Sequence, residues 1–204
     1  MIGNINLEYI AVLIVSILLS LTVHEFMHAY AGYVLGDHTA KADGRLSLNP
    51  LSHIDPLMTV ALPIATLLLF GAPILAAKPV PFDPRNVRYD EFGAAILAAA
   101  GPLSNLVLAF LAALLARAVT PGTFWAYALE LFVTLNVALF IFNMLPIPPL
   151  DGSRVLYAFA PESLQRLMIQ LEPYGLLIVF GLVLAGGLGG FLTTLNNYVL
   201  NLLP

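Results

Sequence analysis

The chain has 204 residues, 60% of them hydrophobic and only 10% charged, whereas an ordinary soluble domain carries roughly 25% charged residues. That balance rules out an ordinary soluble fold and describes a protein that crosses a membrane several times. The formal charge of −4 and the scattered basic residues give no footing for nucleic acid, and the absence of cysteine excludes disulfides, thiolate metal ligands and thiol catalysis.

The first element predicted is a helix over 9–35. Met1 to Tyr9 contains no Lys or Arg, unlike a secretory leader, and the apolar run continues well past signal-peptide length, so the helix is expected to be retained. It is long enough to cross a hydrocarbon core of about 30 Å and stops at Gly36-Asp37. Inside it lies His24-Glu25-Phe26-Met27-His28. At 100° per residue, His24 and His28 fall one turn apart on one face and supply half of a zinc site. Glu25 flanks that face, where a carboxylate serves as a general base without being a ligand. Hydrolytic zinc sites use three protein ligands, so a third has to come from elsewhere.

Residues 37–90 are expected to form a short β or re-entrant element. Gly44 to Pro50 alternates apolar and polar residues between breakers, as a short strand does. Leu57 to Ala77 is apolar but interrupted by Pro63, Gly71 and Pro73, and a Pro-rich loop follows it. Two clear helices are predicted over 92–118 and 124–158. They are joined at Thr120-Pro121-Gly122, a turn short enough to make them antiparallel neighbours. In the first, Ala98 to Pro102 is small enough to let another backbone approach. C-terminal helical segments are predicted over 173–203, with a break at Gly186 to Gly190. The fold class expected is an all-α membrane protein, a polytopic helical bundle of about five to six membrane segments in a single domain spanning 1–204.

The missing ligand has a candidate in Asp151, within Asn143-Met144-Leu145-Pro146-Ile147-Pro148-Pro149-Leu150-Asp151-Gly152. Three prolines and a glycine break the helix there, and non-helical backbone at membrane depth is tolerated only where it is buried in protein or lines a watery cavity. Ionisable residues in membrane segments are costly and usually functional. Glu130, near a helix end, reads as interfacial, which leaves Glu25 and Asp151, one in each motif. An ordinary turn at Asp151-Gly152 is the bland alternative. Asn105 reads as helix-packing glue, and His38 and His53 as solvated loop histidines.

Together these motifs resemble the site-2 protease family of intramembrane zinc metalloproteases, in its compact prokaryotic form. The resemblance runs from the His-Glu-x-x-His helix through Gly101-Pro102-Leu103-Ser104-Asn105 to the Asn143 to Gly152 segment. It implies one Zn²⁺ held by His24, His28 and Asp151, with Glu25 activating water and Asn143 steadying the substrate or the oxyanion. The implied substrates are membrane proteins cut in or near their transmembrane segments in a prokaryotic cell membrane. The chain departs from larger members in having no helix before the first motif and no PDZ or CBS domain.

Topology offers an internal check. If 57–77 does not cross the membrane, His24, His28 and Asp151 all approach the same face. Lys41, Arg45, Lys78, Arg85, Arg88, Arg154 and Arg166 then share one side and only Arg117 lies opposite, which puts the site toward the cytosolic half. The alternative from another class is a zinc transporter or sensor with no hydrolytic activity. A transporter would distribute polar sites through the membrane and show repeats, neither of which is evident.

Overall fold

In lipid every backbone polar group has to be satisfied by protein, and a helix does this within one segment. The computed structural model, which describes residues 7–55, 61, 80–186 and 188–204, is accordingly helical, with no strand among the described residues. The helices are α1 (Leu7–Leu35), α2 (Thr39–Ala42), α3 (Asp90–Ala116), α4 (Phe124–Asn143), α5 (Asp151–Phe159), α6 (Glu162–Leu171), α7 (Gly175–Leu184) and α8 (Gly189–Leu202). Four stretches among the described residues are long and apolar enough to span: α1, α3, α4 and Glu162–Val183, the last running through α6, a 3₁₀ turn and α7. The protein is a multi-pass membrane protein.

Several expectations need correction. Of the five to six membrane segments expected, four fall among the described residues. The strand over 44–50 does not form. Local bonds curl this segment instead: Arg45 N donates to Ala40 O (2.8 Å), Asn49 N to Ser47 Oγ (3.1 Å), and the His53 ring meets Ser47 O through Nε2 (2.7 Å). The region 124–158 is two helices, broken at 144–150 where the three prolines and Gly152 were expected to break it. The C-terminal helical region starts at Glu162 rather than 173, because Glu162, Gln165 and Arg166 make α6 amphipathic and mask it in a search for apolar runs. The reading of 57–77 as re-entrant falls, except for Ala61, outside the described residues.

The ends of that region are nonetheless informative. Gly36, at φ +105°, closes α1 with Asp37 N bonded back to Gly32 O (2.9 Å), a glycine stop of the kind helices favour. Arg88 N then donates to Leu35 O (2.9 Å), so the chain re-enters the bundle where it left. Asp37 ties the same two ends together. Its buried carboxylate accepts from Thr39 N (3.0 Å), Thr39 Oγ1 (2.5 Å) and Asp83 N (2.9 Å). Leu35 and Arg88 therefore lie at the same end of the bundle, and α1 and α3 run antiparallel.

Packing follows membrane rules. On α3, Ala109, Ala112 and Ala113 form a shallow surface on which Val133, Val137 and Ile141 of α4 sit, with Leu192, Leu195 and Val199 of α8 at the rim. This apolar cluster lies toward the Arg117 end of α3. His24 and His28 lie nearer the Asp90 end, where Leu97 and Gly101 meet their rings.

Two outcomes test this arrangement. Single cysteines replacing Lys41 and Arg88 should react with an impermeant thiol reagent from the same side of oriented vesicles, and one replacing Arg117 from the opposite side; Lys41 and Arg88 labelling from different sides would refute the closed ends. For Asp37, burial pushes the carboxyl up, but the bonds from Thr39, Asp83 and Asn86 outweigh it and hold the pKa below the ordinary carboxylate value. The stability Asp37 contributes is thus complete above the unfolded-state pKa of about 4 and is lost as pH falls through the folded-state value. Asp37→Asn should melt lower at neutral pH in detergent yet show a flatter acid limb between about pH 5 and 3; an unchanged acid limb would remove the carboxylate from this role.

Candidate metal centre

The buried face of α1 is polar or small. Ser16, Ser20, His24, His28 and Gly32 recur at every fourth residue and are joined by Thr22, Glu25 and Ala29, while Ile14, Val15, Leu19 and Val34 are exposed. This inverts the pattern of a soluble helix and suits a span whose outer face meets lipid. His28 lies seven residues before the end of α1 and His24 eleven, roughly 10 and 16 Å along the axis from Leu35.

The break between α4 and α5 brings the third group to that depth. At 144–150, Pro146, Pro148 and Pro149 lack the N–H groups a helix needs, and α4 does not continue. Leu150 is extended and α5 begins at Asp151, whose carboxylate sits in the first turn, the favourable end of the helix dipole. Gly152 makes this possible: a Cβ there would lie 2.2 Å from Met144 O and 2.6 Å from Leu145 O. The start of α5 can therefore tuck under the end of α4.

Three donor atoms converge as a result. His24 Nε2 and His28 Nε2 are 3.0 Å apart, and Asp151 Oδ2 lies 3.2 Å from the first and 3.4 Å from the second. Ligands at 2.0–2.1 Å around a tetrahedral zinc are spaced by about 3.3 Å, so the triangle has the size of one face of such a site. The other ring nitrogens are held from behind. His24 Nδ1 meets Asn105 Oδ1 at 2.6 Å and His28 Nδ1 meets Leu97 O at 2.8 Å, both on α3. A carbonyl can only accept, so each Nδ1 carries the proton and each Nε2 turns a lone pair toward the carboxylate. Two lone pairs and a carboxylate oxygen facing one another inside a bundle are what a cation requires. The donor set fits zinc.

Gly101 provides the space. Its missing Cβ would fall 2.3 Å from His28 Nε2 and 2.7 Å from His24 Nε2, so no other residue fits this turn of α3 without moving both rings. In the same turn Pro102 withholds its N–H from the helix ladder.

Among the other residues singled out in the sequence, Glu25 is buried next to His24 in the chain, and no group among the described residues hydrogen-bonds to its carboxylate. Asn143 is outside the three-atom group; its amide donates to Leu139 O (3.0 Å) at the end of α4. Asn105 is fully buried and, besides bridging helices, orients His24. His38 is exposed against Tyr33, whereas His53, expected to be solvated, is buried on Ser47 O. Sequence reasoning missed Ser20 and Asn136, both fully buried behind Asn105. The four-residue spacing from Ser16 to Gly32 was the available signal for Ser20; an isolated Asn in α4 gave none.

Comparison with known proteins identifies the family. Residues 115–186 match the model described as peptidase family M50. The chain is 36% identical to "Putative zinc metalloprotease YwhC" of Bacillus subtilis over 202 residues, covering 92% of this chain and 83% of that one. The chain belongs to peptidase family M50. "Putative zinc metalloprotease Rip2" of Mycolicibacterium smegmatis is 33% identical over 89% of this chain and 71% of its own length. "Putative zinc metalloprotease MJ0611" of Methanocaldococcus jannaschii is 40% identical over 44% of this chain and 46% of its own. No solved structure matches the chain.

Gly101→Ala should keep the helix content yet displace both rings, with zinc lost on dialysis and activity down on the order of 10²-fold, the usual cost of misplacing a reacting group by about 1 Å. Full zinc retention by this variant, read by metal analysis, would show that the close approach is dispensable.

Proposed function

We propose that His24, His28 and Asp151 hold one zinc ion and that Glu25 serves as the general base for peptide-bond hydrolysis within the membrane. The observation that carries this reading is the 3.0–3.4 Å triangle of donor atoms inside lipid-embedded helices, with Glu25 buried next to it. Membership of the family makes the protein an intramembrane zinc metalloprotease. When bound, zinc supplies the Lewis acid that makes water nucleophilic at neutral pH and polarises a scissile carbonyl. Glu25 takes the proton from the attacking water and delivers it to the departing amide nitrogen. Asn143 stands at the mouth of the broken segment and holds the substrate backbone there.

The substrates are transmembrane segments of membrane proteins, unwound where they meet the site. Water and the unwound peptide enter from the end of the bundle shared by Leu35 and Arg88. In support, a cavity of about 450 Å³ opens there, lined by Phe82, Ala94, Pro148, Ser153 and Tyr157, and it adjoins the irregular stretch before Asp151. Lys41, Arg45, Arg85 and Arg88 flank the same end and Arg117 the other, so the entrance faces the cytosol of a prokaryotic cell.

Detergent-purified protein incubated with single-span substrates, with and without chelator, should yield a metal-dependent cut located by mass spectrometry. Glu25→Gln should bind zinc as the parent does and lose about 10²- to 10⁴-fold in turnover, since the amide cannot take the proton. Asp151→Ala should lose zinc. Near-parental cleavage by a zinc-loaded Glu25→Gln protein would assign water activation to another group, and tight zinc in Asp151→Ala would move the third ligand elsewhere.

A further inference from the structure

We infer that Asn136, in the middle of α4 and in contact with none of the three donor groups, is a positioning residue that selects the metal-binding tautomer of His24. The inference rests on the zinc reading above and extends it to a residue that touches neither metal nor substrate. It follows from a one-way chain of hydrogen bonds anchored on backbone carbonyls. Phe132 O can only accept, so the group of Asn136 that lies 2.9 Å from it is the Nδ2 amide, which also donates to Ser20 Oγ at 2.8 Å. That leaves Asn136 Oδ1 facing α3, where it accepts from Asn105 Nδ2 at 2.9 Å. Ser20 O, 3.4 Å from the same Nδ2, is a second acceptor that favours this orientation. Asn105 Oδ1 is thereby turned to His24 Nδ1 at 2.6 Å, and the imidazole has to carry its proton there.

An inverted Asn105 amide would set its oxygen against Asn136 Oδ1 and Ser20 O and its N–H₂ against His24. The ring would then accept at Nδ1 and carry its proton on Nε2, the nitrogen needed by the metal. Ser20, Asn105 and Asn136 are each fully buried, so no water can substitute for a lost partner. Without Asn136, the group left among the described residues to oppose the inversion is Ser20 O, at the long end of hydrogen-bond range.

The test is zinc affinity of metal-free protein in detergent, by competition with a chelator of known affinity. Asn136→Leu should bind about 10- to 100-fold more weakly, the usual cost of losing an outer-shell partner. Asn136→Asp, whose carboxyl group full burial favours in the neutral form, keeps an acceptor for Asn105 and an O–H for Phe132 O, and should stay within a few-fold of the parent. Nitrogen NMR of histidine-labelled, metal-free protein should show His24 protonated on Nδ1 in the parent and in Asn136→Asp, and a shift toward the Nε2 form in Asn136→Leu. A merely structural role would lower the melting temperature without separating these affinities or tautomers. Parental zinc affinity in folded Asn136→Leu would overturn the inference. So would an Nε2-protonated His24 in the metal-free parent, a result available even if the leucine variant does not fold. If the parent itself binds no zinc, the zinc reading fails, and the tautomers in the parent and the two variants still decide the role of Asn136.

Discussion

A histidine can offer one ring nitrogen to a metal only if the protein holds the other, and inside a lipid-embedded bundle no bulk water will take its place. Both holding groups here come from α3: the carbonyl of Leu97 for His28 and the amide of Asn105 for His24. They are eight residues apart, two turns on one face, with Gly101 between them. The two helices must therefore lie almost backbone to backbone, which requires small residues where they cross. Ala29 and Gly32 on α1, and Ala98 and Gly101 on α3, meet that requirement. Close packing and metal chemistry are the same constraint seen from two sides.

Much of this could be read before any coordinates. Polar residues in apolar runs are expensive, so His24, Glu25, His28 and Asp151 stood out against their neighbours, and the prolines before Asp151 marked a break that the structure has. The turn at Thr120 to Gly122 and the stop at Gly36 were equally plain, because each depends on local backbone chemistry. Residues whose meaning lies in a tertiary partner were not legible. Asn136 is one amide in an apolar helix and looks like any packing residue until Asn105 is placed opposite it. The alternation over 44–50 misled for a related reason: strand periodicity says nothing about whether a neighbouring strand exists, and here Arg45 is buried with a guanidinium N–H on Ser52 O instead. The helix α6 escaped because its polar face hides it from hydropathy.

The bundle uses two kinds of interaction, which meet on α4, where Asn136 lies between Val133 and Val137. Toward the Arg117 end, alanines of α3 meet branched residues of α4, contacts that accept many apolar substitutions of similar volume. Around His24 and His28, buried amides, rings and carboxylates form directional bonds in which a single lost partner is costly. Substitutions of equal size should be tolerated very differently in the two sets of contacts.

The bond from Arg88 N to Leu35 O, with Asp37 bridging to Asp83, also makes the intervening stretch a closed loop in the polymer sense. The entropy of closing such a loop grows only with the logarithm of its length, so doubling it costs about 0.6 kcal/mol. Between these pinned ends the chain can lengthen, shorten or change its sequence without shifting α1 against α3. The metal centre between α1 and α3 is thus insulated from changes of length in that stretch.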